Sequence, residues 1–127
     1  MTAQDFGFHI AHIGINAEND AAALAAAKTL EAFFGFSYSI GLSSIFSADR
    51  TVELMKKPFR GKNGHIAVGT TDIDGAVAWL RASGVSFAEE TAVRKDGQLA
   101  AIYLADEIAG FAVHLLGTQK SQGVQNV

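Results

Sequence analysis

The 127-residue chain contains no cysteine and only one proline, and its apolar runs are short. The absence of cysteine excludes disulfide bonds and thiolate metal sites, so any metal would have to be held by histidine and carboxylate side chains. No stretch approaches the roughly 18 apolar residues of a membrane-spanning helix. The first residues also lack the basic and apolar regions of a signal peptide, so we expect a cytoplasmic protein.

Charged residues are also scarce, at 18% of the chain, and the formal net charge is −3. A nucleic acid or an anionic membrane would require a clustered basic surface, so we expect neither as a partner. Hydrophobic residues make up 49% of the chain, which is enough for a substantial core. The length fits one domain, or two small modules that share a core. The polar residues 119–127 are expected to fray.

One pattern occurs twice in the chain: a short apolar strand that carries a histidine and is followed at once by a helix signal. The first copy contains His12 in HIGIN, and the second contains His65 in GHIAVG. Residues 21–34 are rich in alanine and free of glycine and proline, which favours a helix. We expect its buried face to carry the larger apolar side chains together with Ala27, namely Leu24, Leu30, Phe33 and Phe34.

Three β-prone segments follow each helix. They are residues 36–40, 43–47 and 51–55 in the first copy and residues 86–95, 98–104 and 111–116 in the second. The apolar spacing from Ile73 to Leu80 predicts the second helix, with a capping box formed by Thr71 and Asp74. Asp96-Gly97 is typical of a tight hairpin turn. The sequence therefore predicts an α+β fold of two tandem βαβββ modules, at residues 6–57 and 63–117, within one domain.

Four side chains able to bind a metal lie at matching places in the two modules. Because side chains alternate along a strand, His12 and Glu53 of the first module and His65 and His114 of the second are expected on the faces opposite the bulky residues. We expect them to share one metal. Three imidazoles and one carboxylate suit Zn, Mn, Fe, Ni or Co better than Ca or Mg. The alternative is a hydrogen-bonded network in a cleft. His9 is expected to be exposed and to point to the other face from His12.

Two further residues are candidates for substrate binding. The linker between the modules is basic, with Lys56, Lys57, Arg60 and Lys62, and these can bind a carboxylate or phosphate. We select Arg60 from this group, and Tyr103 in the middle of a later strand as a hydrogen-bonding group. The alternatives are a solvated linker and an aromatic side chain used for packing. We expect Trp79 to pack, including at a dimer interface.

These motifs together resemble the vicinal oxygen chelate superfamily, which includes glyoxalase I, bleomycin-resistance proteins, methylmalonyl-CoA epimerase and extradiol dioxygenases. The resemblance covers about residues 8–117 and depends on HIGIN, TVELM, GHIAVG and GFAVHLLG in this order. It implies that the modules form a curved mixed sheet around a cleft that holds a divalent metal. It also implies that His12, Glu53 and His65 match the ligands of the first, fourth and fifth strands.

The chain departs from the pattern of this superfamily in three places. His114 occupies the position of a glutamate on the last strand, which in glyoxalase I-like members can also act as a base. Asn16 replaces a basic residue of some glutathione-dependent members, and the turn at residues 105–110 is an altered form of the DPDG turn. Residues 55–58 and 61–65 are similar to a subgroup associated with 2-keto-3-deoxy-6-phosphogluconate aldolase, which implies a small anionic sugar acid or keto acid as substrate.

The leading functional hypothesis is a metal-dependent lyase, isomerase or epimerase of glyoxalase type. It would act on a small hydroxy-carbonyl or keto acid through an enediolate, with Glu53, the only carboxylate of the constellation, as the base. A second hypothesis is a non-catalytic binding protein similar to the drug-resistance members. A third is an Fe(II) dioxygenase. The resemblance also implies a homodimer.

Overall fold

The computed structural model describes residues 1–118, so the predicted fraying of residues 119–127 lies outside the described part of the chain. A single 3₁₀ turn at Ala3–Phe6 comes first. It is followed by β1 (His9–Asn16), α1 (Asp20–Phe34), β2 (Tyr38–Ile40), β3 (Ser44–Ser47), β4 (Val52–Met55), β5 (Gly64–Thr70), α2 (Ile73–Ala82), β6 (Phe87–Lys95), β7 (Gln98–Leu104) and β8 (Phe111–Gly117). The predicted order of elements is confirmed, with bounds that differ by only one or two residues.

The eight strands form one open mixed sheet in the order β2-β3-β4-β1-β5-β8-β7-β6. Strand β1 runs parallel to β4, and β5 runs parallel to β8. The two four-stranded halves meet where β1 pairs antiparallel with β5. Both helices pack on the same face of this sheet, which leaves the other face to line a cleft. This arrangement is the predicted α+β fold.

Each helix begins at a side-chain cap and packs through small residues. The Asn19 side chain accepts a hydrogen bond from the Ala22 N–H, which satisfies one of the free amide groups at the start of α1. Buried Ala23 and Ala27 then pack on one buried residue of β3 and one of β4, Ile45 and Leu54. In α2 the buried residues Ile73, Ala76 and Val77 pack against the second half, next to Phe6, Phe87, Leu99, Ile102 and Leu115.

Two details of the helix prediction are wrong. Phe33 and Phe34 are 72% and 63% exposed, because the buried face of α1 is formed by alanines that bring the helix close to the sheet. Thr71 does not cap α2. The Asp72 side chain does so by accepting a hydrogen bond from the Gly75 N–H at 3.0 Å, which places the start of the helix one residue later.

A β-bulge in β1 changes the predicted faces near its start. The register with β5 shifts between Ile10 and His12, so that Ile10 pairs with Val68 and His9 pairs with Gly69. Residues paired across two strands point to the same side. Ile10 therefore lies on the helix-covered face, and His9 lies on the cleft face, both opposite to the prediction. The prediction that His9 is exposed is confirmed.

Thr70, at the end of β5, is fully buried and attaches the N-terminal turn to the core. Its hydroxyl donates to the Phe6 carbonyl at 2.6 Å and accepts from the Asp72 N–H at 3.2 Å. We expect Thr70→Val to lower the free energy of unfolding by about 1 to 3 kcal/mol, since the new methyl group can replace neither bond. Thr71→Val, at an exposed position, should change it by less than about 0.5 kcal/mol. Equal effects in urea unfolding would contradict this account.

Candidate metal and substrate site

Two adjacent rows of side chains cross the cleft face at the junction of the two halves. The strand registers place Phe46, Glu53, Gly14 and His65 in one row. They place His12, Ala67, His114 and Tyr103 in the other. In each row a small residue separates the large polar ones. The side chains of the two rows can therefore turn toward a common point above the sheet.

Three of the four predicted ligands are in direct contact. The His12 and His65 Nε2 atoms are 3.3 Å apart, and Glu53 Oε1 lies 3.1 Å from His65 Nε2 and 3.4 Å from His12 Nε2. The ring of His114 lies with its centroid 5.8 Å from that of His12 and 5.4 Å from that of His65. The four side chains thus form one cluster, although they come from four different strands.

The histidines of this cluster fit a divalent metal ion. One nitrogen from each of His12, His65 and His114 lies within 4.8 Å of the other two. His65 Nδ1 and His114 Nε2 are buried and have no hydrogen-bond partner within the described residues. Buried polar atoms are rarely left without a partner, and imidazole nitrogen is a common ligand of Zn, Ni, Co and Fe. Glu53 borders this group through its contacts with two of the three rings.

The electrostatics of the cluster favour the ligand forms of its side chains. Burial alone would raise the pKa of Glu53, but hydrogen bonds with His12, His65 and Ser44 outweigh it and hold that pKa well below its usual range. Burial, helped by repulsion from His65 and His12, lowers the pKa of His114 to about 4. At neutral pH Glu53 is therefore an anion and His114 a neutral imidazole, which are the protonation states that bind metal.

The cluster forms the floor of a cavity of about 320 Å³ with largely aromatic and apolar walls. The Phe46 ring meets His12 edge-on, and the Tyr103 ring packs against that of His114 at a centroid distance of 4.6 Å, with the two ring planes tilted by 34°. Burial, with a further contribution from the Glu53 charge, raises the pKa of Tyr103, so its hydroxyl stays protonated and can donate a hydrogen bond. The cavity therefore offers one polar centre surrounded by apolar surface, as ligand pockets commonly do.

No family model matches the sequence, and no curated protein matches it either. Solved structures do match. Methylmalonyl-CoA epimerase of Streptomyces coelicolor, in complex with 2-nitronate-propionyl-CoA, is 20% identical over 86% of this chain and 96% of its own, with a TM-score of 0.59. The epimerase of Mycobacterium tuberculosis is 19% identical over 91% of each chain, also with a TM-score of 0.59. A hypothetical protein of Bacillus halodurans C-125 is 16% identical over 89% and 96%, with a TM-score of 0.63.

The chain has the vicinal oxygen chelate fold. Within this fold, the structure brings His12, Glu53, His65 and His114 together at the junction of the two halves, as the sequence predicted. Neither helix in residues 1–118 has the length and the apolar composition that a membrane crossing requires.

The two predicted substrate-binding residues occupy different positions in the vicinal oxygen chelate fold. Tyr103 lines the central cavity. The Arg60 guanidinium lies over the Tyr103 ring, 5.1 Å from its centroid, and lines a separate cavity of about 130 Å³. Lys56 and Lys57 line a third cavity next to the start of α1. Within residues 1–118, none of the four basic linker residues lines the central cavity.

Several residues of the site were not found from the sequence. Ser44 donates a hydrogen bond to Glu53 Oε2 at 2.7 Å, and the Arg50 guanidinium lies 3.9 Å from the centroid of Phe46. Phe59, in the linker, lines the central cavity. Ser44 and Phe46 could have been predicted from the sequence, because a hairpin turn at residues 48–50 places their strand opposite the strand of Glu53. The contact of the linker with the cavity left no sequence signal.

Gly14 faces the imidazole of His65 across the junction of β1 and β5, and a Cβ atom at this position would overlap that ring. We expect Gly14→Ala to push His65 out of the cluster and weaken metal binding by about 10- to 100-fold, the size of effect that mispositioned ligands produce. Ile15→Ala is the matched control, since Ile15 is the next residue of β1 and points to the opposite, helix-covered face.

The measurement is titration of the metal-free variants with Zn²⁺ or Ni²⁺ by calorimetry, with circular dichroism to verify the fold. Wild-type affinity in Gly14→Ala would show that the close approach of Gly14 to His65 is unimportant for the site.

Proposed function

We propose that the protein is a metal-dependent isomerase or epimerase, or a lyase of glyoxalase type, that acts on a hydroxy-carbonyl or keto acid through an enediolate. The observation that carries this proposal is the convergence of three partly or fully buried imidazoles, two of which contact one ionised carboxylate, with two of the imidazole nitrogens lacking any partner in the described structure. A cluster of this kind is costly to bury without a metal and useful with one.

The metal would be held by His12, His65 and His114, with Glu53 beside them, and its identity among Zn, Ni, Mn, Co and Fe is left open. When bound, a divalent ion supplies a Lewis acid for two vicinal oxygens of the substrate. Three neutral imidazoles and the Glu53 carboxylate would leave the occupied centre with a net charge of +1. This charge supports an anionic substrate, in agreement with the keto acid or hydroxy acid proposed here.

Glu53 is the proposed base. Ser44 donates a hydrogen bond to its Oε2, which fixes the orientation of the carboxylate. Its Oε1 faces the cluster and is the oxygen that would accept the proton. Removal of a proton next to a carbonyl leaves negative charge on oxygen, and groups oriented in advance stabilise that charge. The protonated hydroxyl of Tyr103 is suited to donate a hydrogen bond there. Arg60, whose guanidinium lies over that ring, adds a positive charge next to it.

The solved structures with the same fold support the choice of an isomerase over the alternatives. The epimerase of Streptomyces coelicolor was solved with 2-nitronate-propionyl-CoA, and another methylmalonyl-CoA epimerase, 20% identical to this chain, with methylmalonyl-CoA. Epimerisation of such a compound requires a proton to leave a carbon next to a carbonyl. The cluster described here has the groups for that step, namely one base and a place for an electrophile.

A homodimer is proposed as the working assembly. An exposed group of aromatic side chains at the end of α1 supports it. Phe33, Phe34 and Phe36 are each more than 45% exposed, and the Phe34 ring contacts both of the others. Exposed apolar groups that lie together can mark a protein–protein contact.

The first test is the metal content of the purified protein after incubation with Zn²⁺, Ni²⁺, Mn²⁺, Co²⁺ or Fe²⁺ and removal of unbound metal. We expect about one ion per chain by elemental analysis, and its loss in His65→Ala. His9→Ala is the matched control, because His9 lies on the same face but is exposed and outside the cluster. Absence of stoichiometric metal would overturn the proposal and favour the non-catalytic binding protein, whose apolar cavity is already present.

The second test concerns the role of Glu53. Candidate hydroxy-carbonyl compounds and keto acids are incubated in D₂O with the metal-loaded protein, and exchange of the proton next to the carbonyl is followed by NMR. For Glu53→Gln we expect exchange to fall by at least about 100-fold, in the range that general bases contribute. Glu31→Gln, on the exposed surface of α1, should exchange at the wild-type rate. Metal content is measured in parallel. Exchange that persists in Glu53→Gln with metal retained would assign the base elsewhere.

A further inference from the structure

We propose that the substrate carries an apolar chain of several carbons behind its metal-binding head, and that this chain lies in a second cavity that adjoins the site. The inference rests on the proposed function, because it assumes that the head binds at the histidine cluster. It narrows the substrate class from any hydroxy-carbonyl or keto acid to one with a medium-length alkyl or acyl substituent.

The second cavity is larger than the first, with a volume of about 650 Å³ against about 320 Å³. It lies between the start of α1, the loop before β3 and the linker that follows β4. Met55 and Phe59 line both cavities, so these two side chains form the wall between them. Met55 is in register with Ser44, next to Glu53, which brings the second cavity to the edge of the cluster.

The shared wall is fastened to the central strand β1. The Asn16 side chain accepts a hydrogen bond from the Phe59 N–H at 3.1 Å and donates one to the Gly61 carbonyl at 3.0 Å. Asn16 lies on the cleft face of β1, two residues beyond Gly14. One side chain thus fixes the backbone on both sides of residue 60, and the position of the Phe59 ring between the two cavities follows from it.

The second cavity combines polar and charged residues with the apolar side chains of Leu42, Met55 and Phe59, and these apolar side chains could cover a neutral chain. Leu42, at its rim, is 97% exposed, and Phe59 is 54% exposed, so both leave apolar surface in water that a chain could cover. The charged groups of the rim balance one another in number. Lys56 and Lys57 lie on one side, and Glu18 and Asp20 lie on the other. An anion would gain from the lysines what it loses to the carboxylates, whereas an alkyl chain needs neither.

The inference is tested with hydroxamates of increasing chain length, because a hydroxamate offers two vicinal oxygens to a metal and its acyl chain can be varied alone. Dissociation constants of acetohydroxamate, hexanohydroxamate and octanohydroxamate are measured by calorimetry on the Ni²⁺-loaded protein. We expect affinity to rise at least about tenfold from the shortest to the longest, since each methylene group that leaves water contributes up to about fourfold.

Two variants locate the chain. Leu42→Ser should reduce the affinity gained by the longer chains by about three- to tenfold and leave acetohydroxamate binding unchanged. Ile108→Ser is the matched control, since Ile108 is also an exposed apolar residue but borders none of the three cavities described here. It should behave as the wild type with every hydroxamate. Neither residue is part of the core, so both variants are expected to fold.

The outcomes separate this inference from the proposed function. If acetohydroxamate binds but the longer chains bind no better, or if Leu42→Ser retains their full advantage, the second cavity does not hold the chain and only the inference fails. If none of the hydroxamates binds the nickel-loaded protein, the chelating role of the cluster fails, and the inference fails with it.

Discussion

The antiparallel pairing of β1 with β5 is the contact on which the rest of the structure depends. It joins the two halves of the sheet, and its register places Gly14 opposite His65 and Ala67 opposite His12. A small residue is needed opposite each histidine, because a larger side chain would occupy the space that the ring fills. A slip of either strand by one residue would move the histidine of that strand to the helix-covered face. The register of this single strand pair therefore determines whether a site exists.

The cluster beside this strand pair takes charged and polar side chains out of water, and the fold compensates that cost for only some of them. Glu53 is stabilised as an anion by hydrogen bonds from two histidines and Ser44, and these outweigh the cost of its burial. His114 is different. Burial keeps it neutral, its Nε2 has no hydrogen-bond partner in the described structure, and its ring packs only against the rings of Tyr103, His65 and His12 among the aromatic contacts of the described residues. Protein stability alone would favour an apolar residue there. A function that uses the imidazole explains why the position is polar.

The sequence predicted the local features well and the long-range ones unevenly. Strand and helix bounds follow from alternation, alanine content and turn residues, and the repeated pattern around His12 and His65 indicated the two similar halves. The four clustered side chains were found because each lies opposite bulky neighbours on its own strand. The β-bulge before His12 reversed the faces of His9 and Ile10. A bulge is defined by the register with the partner strand, so the residue pattern of β1 alone could not predict it.

Contacts between segments far apart in the chain could not be predicted in this way. Asn16 holds the linker 43 and 45 residues away, at Phe59 and Gly61. From the sequence, Asn16 was identified only as a replacement for a basic residue, with no sign of its contacts with the linker. Phe33 and Phe34 were expected in the core because they are large and apolar, but alanines gave a closer fit between α1 and the sheet. Size and polarity predict burial only when the approach of the two elements is known.

The two halves are similar in structure but not in chemistry. In equivalent positions of the two halves, His12 corresponds to His65, Phe46 to Tyr103 and Gly14 to Ala67, while Glu53 corresponds to His114. The last pair makes the cluster asymmetric, with its single negative charge in the first half and the hydroxyl of Tyr103 in the second. A molecule bound between them would meet an anionic acceptor on one side and a hydrogen-bond donor on the other. An exact duplication could not provide that difference, so the divergence at these positions is what makes the two sides of a nearly symmetric cleft chemically distinct.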